Sequence, residues 1–166
     1  AIRLAIVFII LCYFFVSLKI FEVFWPSSEI RLNGAGYSNT NYGFTVKLPE
    51  SWNGFTTSTS KWICHKTKVS GYQKFAEGPL LIIHHPSWNG DNSRQDIPVM
   101  VFTVKQWEDH SLGKFYVGNA PFPPSKLGSN SRYVFALPAQ YNDAFLPGYE
   151  EVEKILEANP LIAIDG

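Results

Sequence analysis

The sequence predicts an α+β fold, in which one N-terminal transmembrane helix precedes an antiparallel sheet of about five strands with a C-terminal helix packed on it. Three observations carry this prediction. Residues 4–18 (LAIVFIILCYFFVSL) hold no charge, apolar runs of strand length recur between Gly, Pro and Asn clusters from Gly43 to Leu137, and Val152, Ile155 and Leu156 recur at helical spacing opposite Glu150, Glu151, Glu153 and Lys154. A chain of 166 residues suffices for one domain with its own core. Charged residues make up 17% and sum to zero, so the electrostatic footprint of a nucleic-acid binder is missing and no nucleic-acid partner is expected. The two cysteines, Cys12 in the apolar run and Cys64 in a polar stretch, are not expected to pair.

The first element is the segment Leu4 to Trp25, which reaches spanning length if Lys19 and Glu22 lie near the interface. Arg3, Phe8, Phe14, Phe15 and Trp25 are the expected anchor residues, with Arg3 at the inner boundary and Trp25 at the outer. This predicts an inner (cytoplasmic) membrane location with the N-terminus cytoplasmic and the domain periplasmic or extracellular. Three other readings of the segment fit less well. A cleavable signal lacks a small-x-small site, because bulky Leu18 follows Ser17; a lipoprotein box at Cys12 has Leu11 where a small residue belongs; a filament-forming pilin-like helix has Ala5 at the position of its usual Glu. The chain is thus divided into an anchor at 1–25, a Gly/Asn/Ser-rich linker at 26–41 and an extracytoplasmic domain at 42–166.

Within the domain, Phe44, Val46 and Leu48 alternate with polar residues and predict a half-buried strand ended by Pro49. Thr- and aromatic-rich residues 55–63 predict a second strand, expected to form a hairpin with the first. Residues 66–78 read as a polar turn, 80–84 as a central strand, and 97–104 as a fourth strand with Pro98 at its start. A short helix from Val104 to His110 would end at Gly113; the Pro-rich stretch 118–131 reads as a rigid connection; 133–137 is the fifth strand, and 149–159 the closing helix.

The stretch Tyr42-Gly43-Phe44-Thr45-Val46-Lys47-Leu48-Pro49-Glu50-Ser51-Trp52 resembles the opening of PsbP-like domains, which are lumenal or periplasmic α+β sandwiches. The resemblance implies that fold, an extracytoplasmic compartment and an accessory role in a membrane complex. The remaining landmarks, His85-Pro86-Ser87-Trp88, Arg94 to Thr103 and Tyr133 to Pro138, resemble an uncharacterised family of bacterial exported proteins.

Candidate chemistry centres on His84, His85, Asp91 and Asp96, whose imidazoles and carboxylates are of metal-ligating type. Adjacent strand residues face opposite ways, so only one of the two histidines can join either aspartate. The same rule separates Cys64 from His65 as a nucleophile and base. No nucleophile elbow, HExxH helix, CxxC pair, phosphate loop or dinucleotide fingerprint occurs. The prediction is accordingly a non-catalytic, membrane-anchored accessory subunit of a larger membrane protein complex, not an enzyme and without a cofactor. Trp88, Phe122, Pro123 and Pro124 are its candidate contacts with other protein subunits, since aromatics and stiff Pro-rich segments favour interfaces. The alternatives are an exported small-ligand or metal-binding domain and the pilin-like subunit.

Overall fold

The computed structural model describes residues 33–68, 71–118, 122–142 and 144–165, with residues 65–68 and 71–74 as backbone only. The anchor segment and its expected residues Arg3, Phe8, Phe14, Phe15 and Trp25 lie outside the described residues. Among the described residues no helix is long and apolar enough to cross a membrane. The domain is α+β, with a five-stranded antiparallel sheet and a C-terminal helix, as the sequence predicts.

The strands are β1 (Gly36–Asn39), β2 (Phe44–Lys47), β3 (Thr56–Lys68), β4 (Gly71–His84), β5 (Ile97–Thr103), β6 (Ser125–Ser129), β7 (Tyr133–Leu137) and β8 (Leu161–Ala163). The helices are α1 (Val104–Ser111) and α2 (Tyr149–Glu157). The large sheet has the order β3-β4-β5-β7-β6, and a small sheet has the order β1-β2-β8.

Residue alternation decides which layer each side chain joins. Leu81, Ile83, Val99, Val101 and Phe135 project from the inner face of the large sheet into a core shared with Phe44, Val46 and Leu48, Trp52, and Val152 and Ile155 of α2. The Phe44 and Phe135 rings meet at 4.7 Å between centroids. The outer face carries a second core, in which Trp62, Met100, Phe102, Val134 and Ala136 lie beneath Phe115, Val117 and the half-buried Trp107 of α1. A Cβ on Gly78 would stand 2.6 Å from the Trp62 indole, so the ring crosses the strand pair only because residue 78 has no side chain. The indole N–H is satisfied by the Val101 carbonyl at 2.9 Å.

Four features depart from the sequence expectation. The predicted opening hairpin does not form, because β2 is paired on both sides, by β1 and β8, and has no edge left for β3. Instead Pro49, a 3-10 turn at Glu50–Trp52 and Gly54 (φ +87°) carry the chain from one sheet to the other, burying Trp52 on the way. β1 falls inside the stretch expected as linker, a short strand of alternating partial exposure with no apolar run to announce it. The expected polar turn at 66–78 is β-structure, since β3 and β4 stay paired from Thr56↔His84 to Lys68↔Gly71 whereas β4 pairs β5 only over residues 80–83. Beyond β5 the ribbon continues as β3–β4 main-chain pairing, which does not require the sustained apolar run by which a central strand is read. Finally, β6 occupies part of the Pro-rich connection and pairs β7 around an irregularity between Lys126 and Gly128.

Asn130, in the turn between β6 and β7, joins the two sheets. Its amide nitrogen lies within hydrogen-bond distance of the Tyr42, Gly43 and Ile164 carbonyls (2.8–3.1 Å), and its Oδ1 accepts from the Arg132 and Tyr133 amides (3.0 and 2.8 Å). Asn130→Ala is expected to cost ~2–4 kcal/mol, the range for stranding several part-buried backbone groups. Phe44→Ala is expected to cost ~3–5 kcal/mol through the cavity left against Phe135. Urea unfolding followed by circular dichroism measures both.

Candidate functional site

The end of β4 separates its two histidines as strand geometry requires. His85 turns to the inner side, where it is buried and meets the Trp52 ring edge-on at 5.2 Å. Its Nδ1 accepts from the Ser87 amide at 3.0 Å, which requires the neutral ring. Burial, and then the Arg94 guanidinium, hold this imidazole below its ordinary range, against a smaller opposing pull from Glu151.

His84 turns to the outer face and meets Asp96. Its Nδ1 stands 2.9 Å from Asp96 Oδ1, and its Nε2 stands 2.8 Å from Ser58 Oγ. Register explains the convergence: Thr56 pairs with His84, so Ser58 lies two residues along the same face of the neighbouring strand, and Asp96 immediately precedes β5. Trp88 lies over the imidazole at 4.6 Å between ring centroids. Burial raises the Asp96 carboxyl, while the hydrogen bond and charge of His84 draw it down. Of the four weak metal candidates, then, His84 and Asp96 come together, His85 faces away, and Asp91 stands on the exposed loop with its amide bonded to Asn89 Oδ1. Among the described residues no group of three or more His, Cys, Asp or Glu is placed to hold a metal ion. Cys64 is a buried thiol, raised by burial and lowered by the Tyr116 backbone, and a strand irregularity separates it from His65.

Farther along the outer face, the candidate contacts divide. Phe122 is 68% exposed, Pro123 is exposed, and Pro124 is buried. Phe122 and Pro123 line a hollow of about 250 Å³ with His110, Tyr116 and Val117, and Tyr116 and the nearby Leu112 are each 71% exposed. His110 is buried; its Nδ1 lies 3.0 Å from the Phe115 carbonyl, to which it donates, with the Phe102, Trp107, Phe115 and Tyr116 rings around it. A second groove of about 220 Å³ lies between this hollow and His84, lined by Trp62, Leu80, Met100, Val117, Pro124 and Pro138 among others. Trp88, 40% exposed, belongs to the His84 end and not to the Phe122 hollow.

Ser58 and Leu112 were not among the sequence candidates. Ser58 sits in an unremarked Thr/Ser run, and only the β3–β4 register brings it to His84. Comparison with protein-family models, with curated proteins and with solved structures finds no match for this chain.

The buried neutral His85 gives a pH prediction. Its folded-state pKa lies below the unfolded value of ~6.5, so the unfolded chain binds the extra proton first and stability falls as pH drops below that value. The melting temperature is expected to fall between about pH 7.5 and pH 5.5. It should fall less in His85→Asn, whose side-chain oxygen can still accept from Ser87; equal slopes in both proteins would remove His85 as the cause.

Proposed function

We propose that the chain is an accessory, partner-binding domain, carried on the extracytoplasmic side of the inner membrane by its N-terminal apolar segment. The observation that carries this reading is the hollow at Tyr116, Phe122 and Pro123, beside which Leu112 is also exposed, because large apolar side chains held open around a concavity are what an interface uses. None of the described residues that line the hollow carries a carboxylate, ammonium or guanidinium group, so the fitting partner is an apolar, uncharged segment of another protein. A domain tethered by residues 4–25 meets such segments on the extracytoplasmic loops of membrane proteins. The β2 strand also supports a PsbP-like sandwich, since Phe44, Val46 and Leu48 fill the core and Trp52 closes its end.

Phe122 is the anchor we assign to this contact. Phe122→Ser in the full chain is expected to lower the recovery of a copurifying membrane protein in mild detergent by about tenfold or more, the effect of removing an aromatic anchor worth at least ~1.4 kcal/mol. Its melting temperature should stay unchanged, because the ring is mostly exposed. A chain that runs alone as a monomer at native abundance would overturn the reading.

A further inference from the structure

We propose that Ser58, His84 and Asp96 form an ester-hydrolysing site on the outer face of the large sheet, with Ser58 as its nucleophile. The three groups are joined in the order such chemistry requires: hydroxyl to Nε2 at 2.8 Å, and Nδ1 to carboxylate at 2.9 Å. Asp96 accepts a hydrogen bond from the Nδ1–H and so holds the tautomer whose Nε2 lone pair faces Ser58 Oγ. The His84 side chain is 12% exposed and that of Asp96 26%, so the pair is partly removed from water. Ser58 itself is exposed, leaving its oxygen open to an incoming carbonyl. Trp88 covers the imidazole and limits the water that reaches it.

The step balances without any further reagent than water. Ser58 Oγ bonds to the ester carbonyl carbon while its proton passes to His84 Nε2, and Asp96 stabilises the imidazolium. The C–O bond to the alcohol breaks, and Nε2 returns the proton to the departing oxygen. Water then attacks the acyl-serine with His84 as base, releasing the acid and restoring Ser58. Donors for the carbonyl oxygen are available from β3, which is an edge strand. Backbone N–H groups alternate in direction along an antiparallel strand, so either Ser58 or both of its neighbours Thr57 and Thr59 turn an amide away from β4.

The surface beside Ser58 selects the substrate. Ile82 pairs with both Ser58 and Pro98 and forms a half-buried apolar row; the next row along, ~7 Å away at two residues of strand rise, holds Leu80 and Met100 of the 220 Å³ groove. Among the described residues, the groove's lining contains no charged side chain. An uncharged ester with a short acyl chain fits, its carbonyl at Ser58 and its chain along Ile82 toward Met100. This departs from the non-catalytic expectation, which rested on sequence motifs that a strand-borne serine does not display.

The test uses the full chain in detergent micelles with two probes, a fluorophosphonate and p-nitrophenyl butyrate. The wild type is expected to be labelled on the peptide containing Ser58 and to hydrolyse the ester, with both activities lost in Ser58→Ala. Asp96→Asn should slow acylation by ~10²-fold or more and change its pH profile, an effect that a merely structural hydrogen bond would not produce. Ser58 is exposed on an edge strand, so Ser58→Ala keeps the fold, and an unchanged circular dichroism spectrum verifies this. Absence of labelling in the wild type, labelling at a different serine, or ester turnover equal to that of Ser58→Ala would each overturn the proposal.

Discussion

A five-stranded sheet with large apolar side chains on both faces has to be covered twice, and this requirement organises the whole domain. On the inner side the cover is the small sheet and α2, which close over Val99, Val101 and Phe135 with Phe44, Val46, Val152 and Ile155. On the outer side it is α1 with the chain that follows, which brings Trp107, Phe115 and Val117 over Met100, Phe102 and Val134. The two covers differ in completeness. The inner one is stitched by Asn130 to the rim of the large sheet, whereas the outer one spans only part of its face and leaves the two grooves and the His84 end open.

That asymmetry gathers the features of functional interest on one surface. Along the outer face the order is Ser58, His84 and Asp96, then the groove at Leu80 and Met100, then the hollow at Tyr116 and Phe122. Val117 lines both concavities, so the segment between α1 and β6 borders the two at once. A partner seated on Phe122 would therefore lie beside the groove that leads to Ser58.

The strands with an apolar alternation were legible in the sequence because burial on one face leaves a period of two. Phe44, Val46 and Leu48 are an instance, and each is at most 1% exposed. Their partners were not legible, since alternation reports a face and not a neighbour; β2 therefore looked like half of a hairpin when β8, which begins 24 residues after the end of β7, is one of its true neighbours. β1 was missed because a strand with little to bury carries little pattern, and the far part of the β3–β4 ribbon because residues 66–78 hold no sustained apolar run. Thr103 and Gln106 offered a usable signal: the T-x-x-Q spacing forms a reciprocal capping box that starts α1. For the site, His84 and Asp96 were found by residue type, together with His85 and Asp91; the rule of alternating faces allowed only one histidine to join an aspartate, and the fold decides that it is His84. Ser58 depended on register, which a strand rich in Thr and Ser does not specify.

The described tryptophans are divided between the layers: Trp52 is in the inner core, Trp62 and Trp107 are in the outer one, and Trp88 lies on His84. Trp62 is sandwiched near Phe102 and Phe115 with its N–H bonded to a carbonyl, while Trp88 lies tilted over the His84 ring. Chains retaining one indole each would thus report by their emission on separate parts of the molecule, so loosening of the outer cover could be watched independently of the inner core.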